Sequence, residues 1–195
     1  AEVEQIIGGC VTQAGEQAGN LARNAWLSRG KGWHTGGTTI DTQCGSSQQA
    51  LHFAAQAILA GDMDLVIAGG TEMMSHQPLG ADYPAAWPDL PYNLVHQGTS
   101  AELMAEKWHL SREALDDYAY NSHLRAMQAI QQGFFDEQII PVQQPNGRVV
   151  STDEGVRIPP DREKIGRLRP VFKPDGVITA GNASPASSPL VVQIS

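Results

Sequence analysis

Cys44 closes a β-prone run, Thr38-Thr39-Ile40-Asp41-Thr42-Gln43, and is followed by Gly45-Ser46-Ser47 and a helix-forming stretch. A thiol at a strand-to-helix corner is aimed by two rigid elements and faces the positive end of a helix dipole. Both effects favour the thiolate, the form that attacks electrophiles. The small residues after it leave room for a substrate. The pattern reads as a cysteine nucleophile for acyl transfer. The competing reading is a small buried residue at a strand end, the usual fate of a free cysteine. Ser46 and Ser47 likewise have a plain role open to them, satisfying first-turn amides of the helix. Cys10 lies in an apolar run with no such corner and reads as core packing.

A second feature is a cluster of cations. Arg157, Arg162, Lys164, Arg167, Arg169 and Lys173 are six of the 13 Lys and Arg, and Asp161 and Glu163 are the only acids among them. A basic loop on an acidic chain suits an anionic ligand such as a phosphorylated cofactor. A solvated loop face explains it equally well. A cysteine nucleophile normally works with a base, most often His. Of His34, His52, His76, His96, His109 and His123, only His96, in a loop near glycine, is expected near a ligand. His52 lies two helical turns beyond Cys44, and His109 and His123 are expected on helix surfaces. Gly69-Gly70 after a buried run marks either a close approach or a tight turn. No phosphate-binding glycine motif and no zinc-ligand spacing is present.

These residues need a frame. The chain has 195 residues, enough for one core with a subdomain, and 41% hydrophobic against 17% charged is an ordinary globular balance. A net charge of −8 argues against a general binder of nucleic acid or anionic membrane. No apolar run approaches the roughly 20 residues that span a bilayer. The start, Ala1-Glu2-Val3-Glu4, has no signal-peptide pattern and no Met, so the chain is expected to begin mid-protein. Two cysteines make no disulfide framework, and reduced thiols in the cytoplasm are expected.

Residues 1–75 alternate strand and helix. Val3–Val11 reads as a strand, and Asn20 is expected to cap a short helix. After Cys44, Ala50, Leu51, Ala54, Ala55, Ile58 and Leu59 mark one buried helical face that ends at Gly61. Leu65–Ala68 reads as a buried strand, so a parallel crossover is expected. Residues 76–176 read as an insertion. It opens with a Pro-rich excursion and continues with helices capped by Ser100 and Ser111 and a short strand at Ile139–Val142. Residues 177–195 read as a return, in which Val177–Ala180 regains β character and an atypical tail follows with an apolar end at Leu190–Ile194.

Several ordered segments resemble the thiolase family of acetyl-CoA C-acyltransferases. They include Gln13-Ala14-Gly15, Asn20-Leu21-Ala22-Arg23, Cys44-Gly45-Ser46-Ser47-Gln48-Gln49-Ala50 and Ala68-Gly69-Gly70-Thr71-Glu72-Met73-Met74-Ser75. Ala101–Lys107, Ser122-His123, Leu168-Arg169-Pro170-Val171-Phe172 and Thr179-Ala180-Gly181-Asn182-Ala183-Ser184 continue the match. The resemblance implies an α/β thiolase-like fold, here one α/β half with an inserted loop domain. In that reading residues 1–75 are the N-terminal α/β domain, 76–176 the loop domain that covers coenzyme A, and 177–195 the return to the first domain. It implies that Cys44 carries the acyl group as a thioester, with its own backbone N–H in the oxyanion hole. It further implies that His96, Arg157, Phe172, Ala180 and Ser184 contact coenzyme A.

Coenzyme A and acyl-CoA would be substrates rather than tightly bound cofactors, with no metal, no nucleic acid and no membrane involved. A homodimer or homotetramer is implied. Pro185-Ala186-Ser187-Ser188-Pro189 departs from the family's run at that point, and the second half, with its catalytic His and second cysteine, is not in this chain. The chain is expected to be an interior piece of a thiolase with little turnover of its own. Two other readings stand: a ketoacyl synthase-like condensing enzyme, and a truncated, non-catalytic interaction subunit.

Overall fold

The apolar run near the start becomes the central strand of a parallel sheet. The computed structural model describes residues 2–30, 32–85 and 89–183, and these fall into two compact units, one within residues 1–87 and one within 88–185. In the first, β1 (Gln5–Gly9) lies between β2 (Gly36–Ile40) and β3 (Val66–Gly70), all parallel. Gln5 stands beside Gly36 on one flank and Val66 on the other. The strands are shorter than the β-prone runs that contain them, and β2 stops at Ile40, four residues before Cys44.

Side chains alternate across β1. Ile7 packs with Val66 and Ala68 against Ala50 and Ala54 of α2 (Ser46–Ala60), and Ile40, Leu51 and Met63 close the edge of this core. The alanine stripe lets α2 approach closely. Its N-terminus is seated on two glycines: a Cβ at Gly9 would fall 2.5 Å from the backbone of Ser46 and Ser47, and one at Gly70 only 1.9 Å from Ser47 Oγ. Gly61, in the left-handed conformation, ends α2 as the sequence predicts.

The other face meets α1 (Leu21–Leu27), where a Cβ at Gly8 would fall 2.8 Å from Ala22 Cβ. Asn20 caps α1 by accepting from the Arg23 N–H. Beside α1 is an open groove of about 330 Å³, floored by Gly8, Ile67 and Gly69 and walled by Leu21, Ala25 and Trp26.

The second unit is built on α3 (Gln97–Lys107) and α4 (Arg112–Gln131), with a two-residue hairpin of β4 (Val142–Gln143) and β5 (Val149–Val150) and a short α5 (Arg162–Gly166). Ser111 caps α4 through the Ala114 N–H, as expected. Ser100 does not cap α3: the helix starts earlier, and His96 takes the capping position. Val177–Ala180 makes one antiparallel bridge, Thr179 with Pro170, rather than a strand. Leu190–Ile194 lie outside the described residues.

Candidate active site

Cys44 lies in the turn between β2 and α2, not on either element. It is exposed. Gly45 occupies the cap position of α2 with no side chain to offer, and Gln43 before it has φ +55°. Ser46 does not satisfy first-turn amides. Its hydroxyl faces backwards, accepting from the Thr42 N–H at 3.0 Å and donating to the Gln43 carbonyl at 2.6 Å. The thiol is thus carried on a tied turn at the start of a 15-residue helix.

Cys10 is the opposite case, as expected. It is 2% exposed. Burial pushes its thiol up to about 11, and the negative charges of Glu72, Asp41 and Asp82 add to the shift. A thiol that holds its proton is a poor nucleophile.

Among the described residues, no histidine of the first unit hydrogen-bonds Cys44. His34 pairs with Glu2 at 3.1 Å, His76 with Glu16 at 3.1 Å, and His52 is exposed on α2.

The remaining candidates belong to the second unit. His96 is not in a free loop. Its Nδ1 accepts from the Gly98 N–H at 3.1 Å, so the neutral ring carries its proton on Nε2. The ring stacks on Phe172 with centroids 5.3 Å apart and planes inclined by 30°. Gly98 is what permits this: a Cβ there would fall 2.3 Å from the Phe172 ring. Arg157 is exposed, and its N–H donates to His123 Nδ1 at 3.3 Å. His109 sits in the turn after α3 with φ +52°, not on a helix.

Ala180 stands exposed on a loop that two carboxylates anchor. Glu102 accepts from the N–H groups of Val177 and Ile178 at 3.0 and 2.9 Å. Asn182 accepts from the Thr179 N–H at 2.8 Å and donates to Asp116 at 2.8 Å, while Arg112 holds the other Asp116 oxygen at 2.7 Å. Ser184 lies outside the described residues.

The cation cluster is partly spent. Arg162 pairs with Asp117, Arg167 with Glu163 and Lys173 with Glu106. Arg157, Lys164 and Arg169 form no ion pair among the described residues.

Sequence reasoning missed Asp116, gave Ser46 a different role, and found no partner for Glu72 or Glu102. For Glu102 a pattern was available. It falls on the stripe Gly98, Glu102, Ala105, which is the buried face of α3, and a carboxylate on an otherwise apolar stripe needs an internal partner.

The thiolase N-terminal domain family matches residues 1–188. A steroid 3-ketoacyl-CoA thiolase of Mycobacterium tuberculosis is 40% identical over 202 residues, covering 96% of this chain and 49% of the relative. A probable acetyl-CoA acyltransferase of Staphylococcus aureus strain COL is 38% identical over 204 residues, covering 94% and 52%. The crystal structure of the Bacillus anthracis acetyl-CoA acetyltransferase matches with a TM-score of 0.85 and 34% identity, covering 98% of this chain and 53% of that one. The chain therefore spans about half the length of these relatives, and its fold is the thiolase-like α/β fold. With residues 1–188 of its 195 matched by the thiolase N-terminal domain family, the chain belongs to the thiolase family.

Proposed function

We propose that this chain is the nucleophile-bearing part of an acyl-CoA C-acyltransferase acting on 3-ketoacyl-CoA, in the degradation of fatty acyl chains. The observation that carries the reading is the contrast between an exposed Cys44 at the head of α2 and a sealed Cys10. In this reading the Cys44 thiolate attacks the 3-keto carbonyl carbon. The bond between C2 and C3 breaks, the two-carbon fragment leaves as acetyl-CoA after taking up a proton, and the shortened acyl group stays on Sγ as a thioester. The thiol of a second coenzyme A then attacks that thioester and releases the shortened acyl-CoA. The reverse sequence condenses two acyl-CoA molecules. Coenzyme A serves as substrate, contacted by His96, Arg157, Phe172, Ala180 and Ser184, and no tightly bound cofactor is required. In this reading the proton acceptor for Cys44 belongs to the second half of the thiolase, as the family resemblance implies. Pairing into a homodimer or homotetramer belongs to the same proposal.

Brief exposure to acetoacetyl-CoA followed by peptide mass spectrometry tests the reading. Acylation confined to Cys44 supports it. Acylation elsewhere, or none, defeats it. A second reading is a non-catalytic subunit that pairs with an intact thiolase without turning over substrate. Sizing chromatography with and without a full-length relative would reveal such pairing. Among the described residues no helix is long and apolar enough to cross a membrane.

A further inference from the structure

One buried hydroxyl holds the turn that carries Cys44. Ser46 is 4% exposed. It grips the Thr42 N–H and the Gln43 carbonyl together, closing a loop around the segment that leads into Cys44. Between those two anchors Gln43 stands at φ +55°. That conformation is unfavourable for an L-residue and persists only where the surroundings over-determine it. Asp41 supplies another restraint, accepting from the Gln43 N–H at 2.7 Å. Ser46 has little room to yield, because β1 lies directly behind it: a Cβ at Gly9 would fall 2.9 Å from Ser46 Cβ. Helix capping does not account for the arrangement, because the hydroxyl is directed away from the first-turn amides.

We propose that Ser46 and the left-handed Gln43 form a latch that sets how the Cys44 thiol is presented, which makes Ser46 a positioning residue for reaction at Cys44. The proposal rests on Cys44 being the reactive thiol of the chain. Without the hydroxyl, the turn keeps only two backbone bonds from the helix side, Ser46 N–H to the Gln43 carbonyl at 3.0 Å and Gly45 N–H to the Thr42 carbonyl at 3.2 Å, and the hold on the Thr42 N–H that opposes the return of Gln43 to negative φ is lost. A sign change there redirects the two residues that follow before the helix, Cys44 and Gly45.

Alkylation of this chain by iodoacetamide, read by peptide mass spectrometry, follows Cys44 and Cys10 separately. Ser46→Ala is expected to slow Cys44 alkylation by roughly fivefold, the size of a helix-terminus effect of about 1 kcal/mol, while Cys10 stays unmodified. Gln43→Val keeps the hydroxyl but penalises positive φ at an exposed position, and should slow the reaction by a similar factor. Adding Gln43→Gly to Ser46→Ala should restore the rate to within about twofold, because glycine adopts the left-handed region unaided. A general loosening of the helix start would be worsened by glycine, so the rescue separates aim from stability.

An unchanged rate in either single variant, or a double variant as slow as Ser46→Ala, overturns the latch. If Ser46→Ala does not fold, Cys10 will become reactive, and Gln43→Val against the unchanged chain then decides by the same criterion. Acylation of the unchanged chain by acetoacetyl-CoA tests the nucleophile separately. Its failure beside intact alkylation differences would leave a latched thiol without catalysis.

Discussion

Cys10 and Cys44 each follow a strand of one parallel sheet, and they meet opposite fates. Cys10 follows β1, the central strand, and the chain beyond it is folded back by a single carboxylate. Glu72 accepts from the Val11 and Thr12 N–H groups at 2.8 and 3.2 Å and from Gln17 Nε2 at 2.8 Å. The side-chain Oε1 of Gln17 in turn accepts from the Met73 N–H at 2.5 Å. Thr12 and Gln17 are buried at 0% and 2% exposure, so the covering is tight. Cys44 follows β2, a flanking strand, and the chain beyond it turns left-handed into α2. Residue type is therefore the same in both places, and each thiol comes soon after a strand, Cys10 directly after Gly9 and Cys44 four residues after Ile40. What separates a sealed thiol from a presented one is the path of the next few residues and the side chain that pins it.

Four experiments would break or sharpen this contrast. The largest effect expected is all-or-none: Cys44→Ala removes acyl labelling by acetoacetyl-CoA, whereas Cys10→Ala leaves it in place. Labelling that survives the first substitution would erase the distinction. Next, Gly9→Ala forces a methyl into the backbone at the head of α2. A loss of about 3 kcal/mol is expected from overpacking that no side chain can relieve, read from the urea midpoint.

The third effect is a pH dependence. Below pH 9.0, the ordinary value for the thiol, Cys10 is protonated whether the chain is folded or not. Between there and about 11 the unfolded thiol ionises first. The unfolded state then binds fewer protons, so stability falls as pH rises, by about 2–3 kcal/mol at the upper end. Urea midpoints across this range should fall less steeply in Cys10→Ala.

The smallest effect concerns the pin itself. Glu72→Ala leaves three donors without their acceptor, at a cost of about 2 kcal/mol, and should make Cys10 open to iodoacetamide. If Cys10 stays closed in that variant, the carboxylate is not what seals it.

Much of the first unit was legible from pattern. The apolar run around Ile7, the alanine stripe of α2 and its Gly61 stop, and the Asn20 cap are local or periodic features, and each appears where expected. Strand ends were not legible, since a β-prone run continues past the last paired residue. The start of α3 was missed because two side chains compete for one cap. Ser100 has the preferred type, but the imidazole of His96 reaches the Gly98 N–H, and Phe172, 76 positions further along the chain, stacks on that ring. A contact so distant leaves no trace in local composition. The cation cluster shows the same limit: its density was plain in the sequence, but which members were already paired was not.

By itself, the sequence determined the kind of fold, the family and the two thiols worth comparing, because periodicity, turn residues and ordered motifs are written along the chain. Only the tertiary structure decided which way the Ser46 hydroxyl faces, which carboxylates staple the loop bearing Ala180, and which one folds the chain back beyond Cys10. Those outcomes depend on the close approach of segments distant in sequence, where the lack of a Cβ at Gly9, Gly70 or Gly98 determines what can touch.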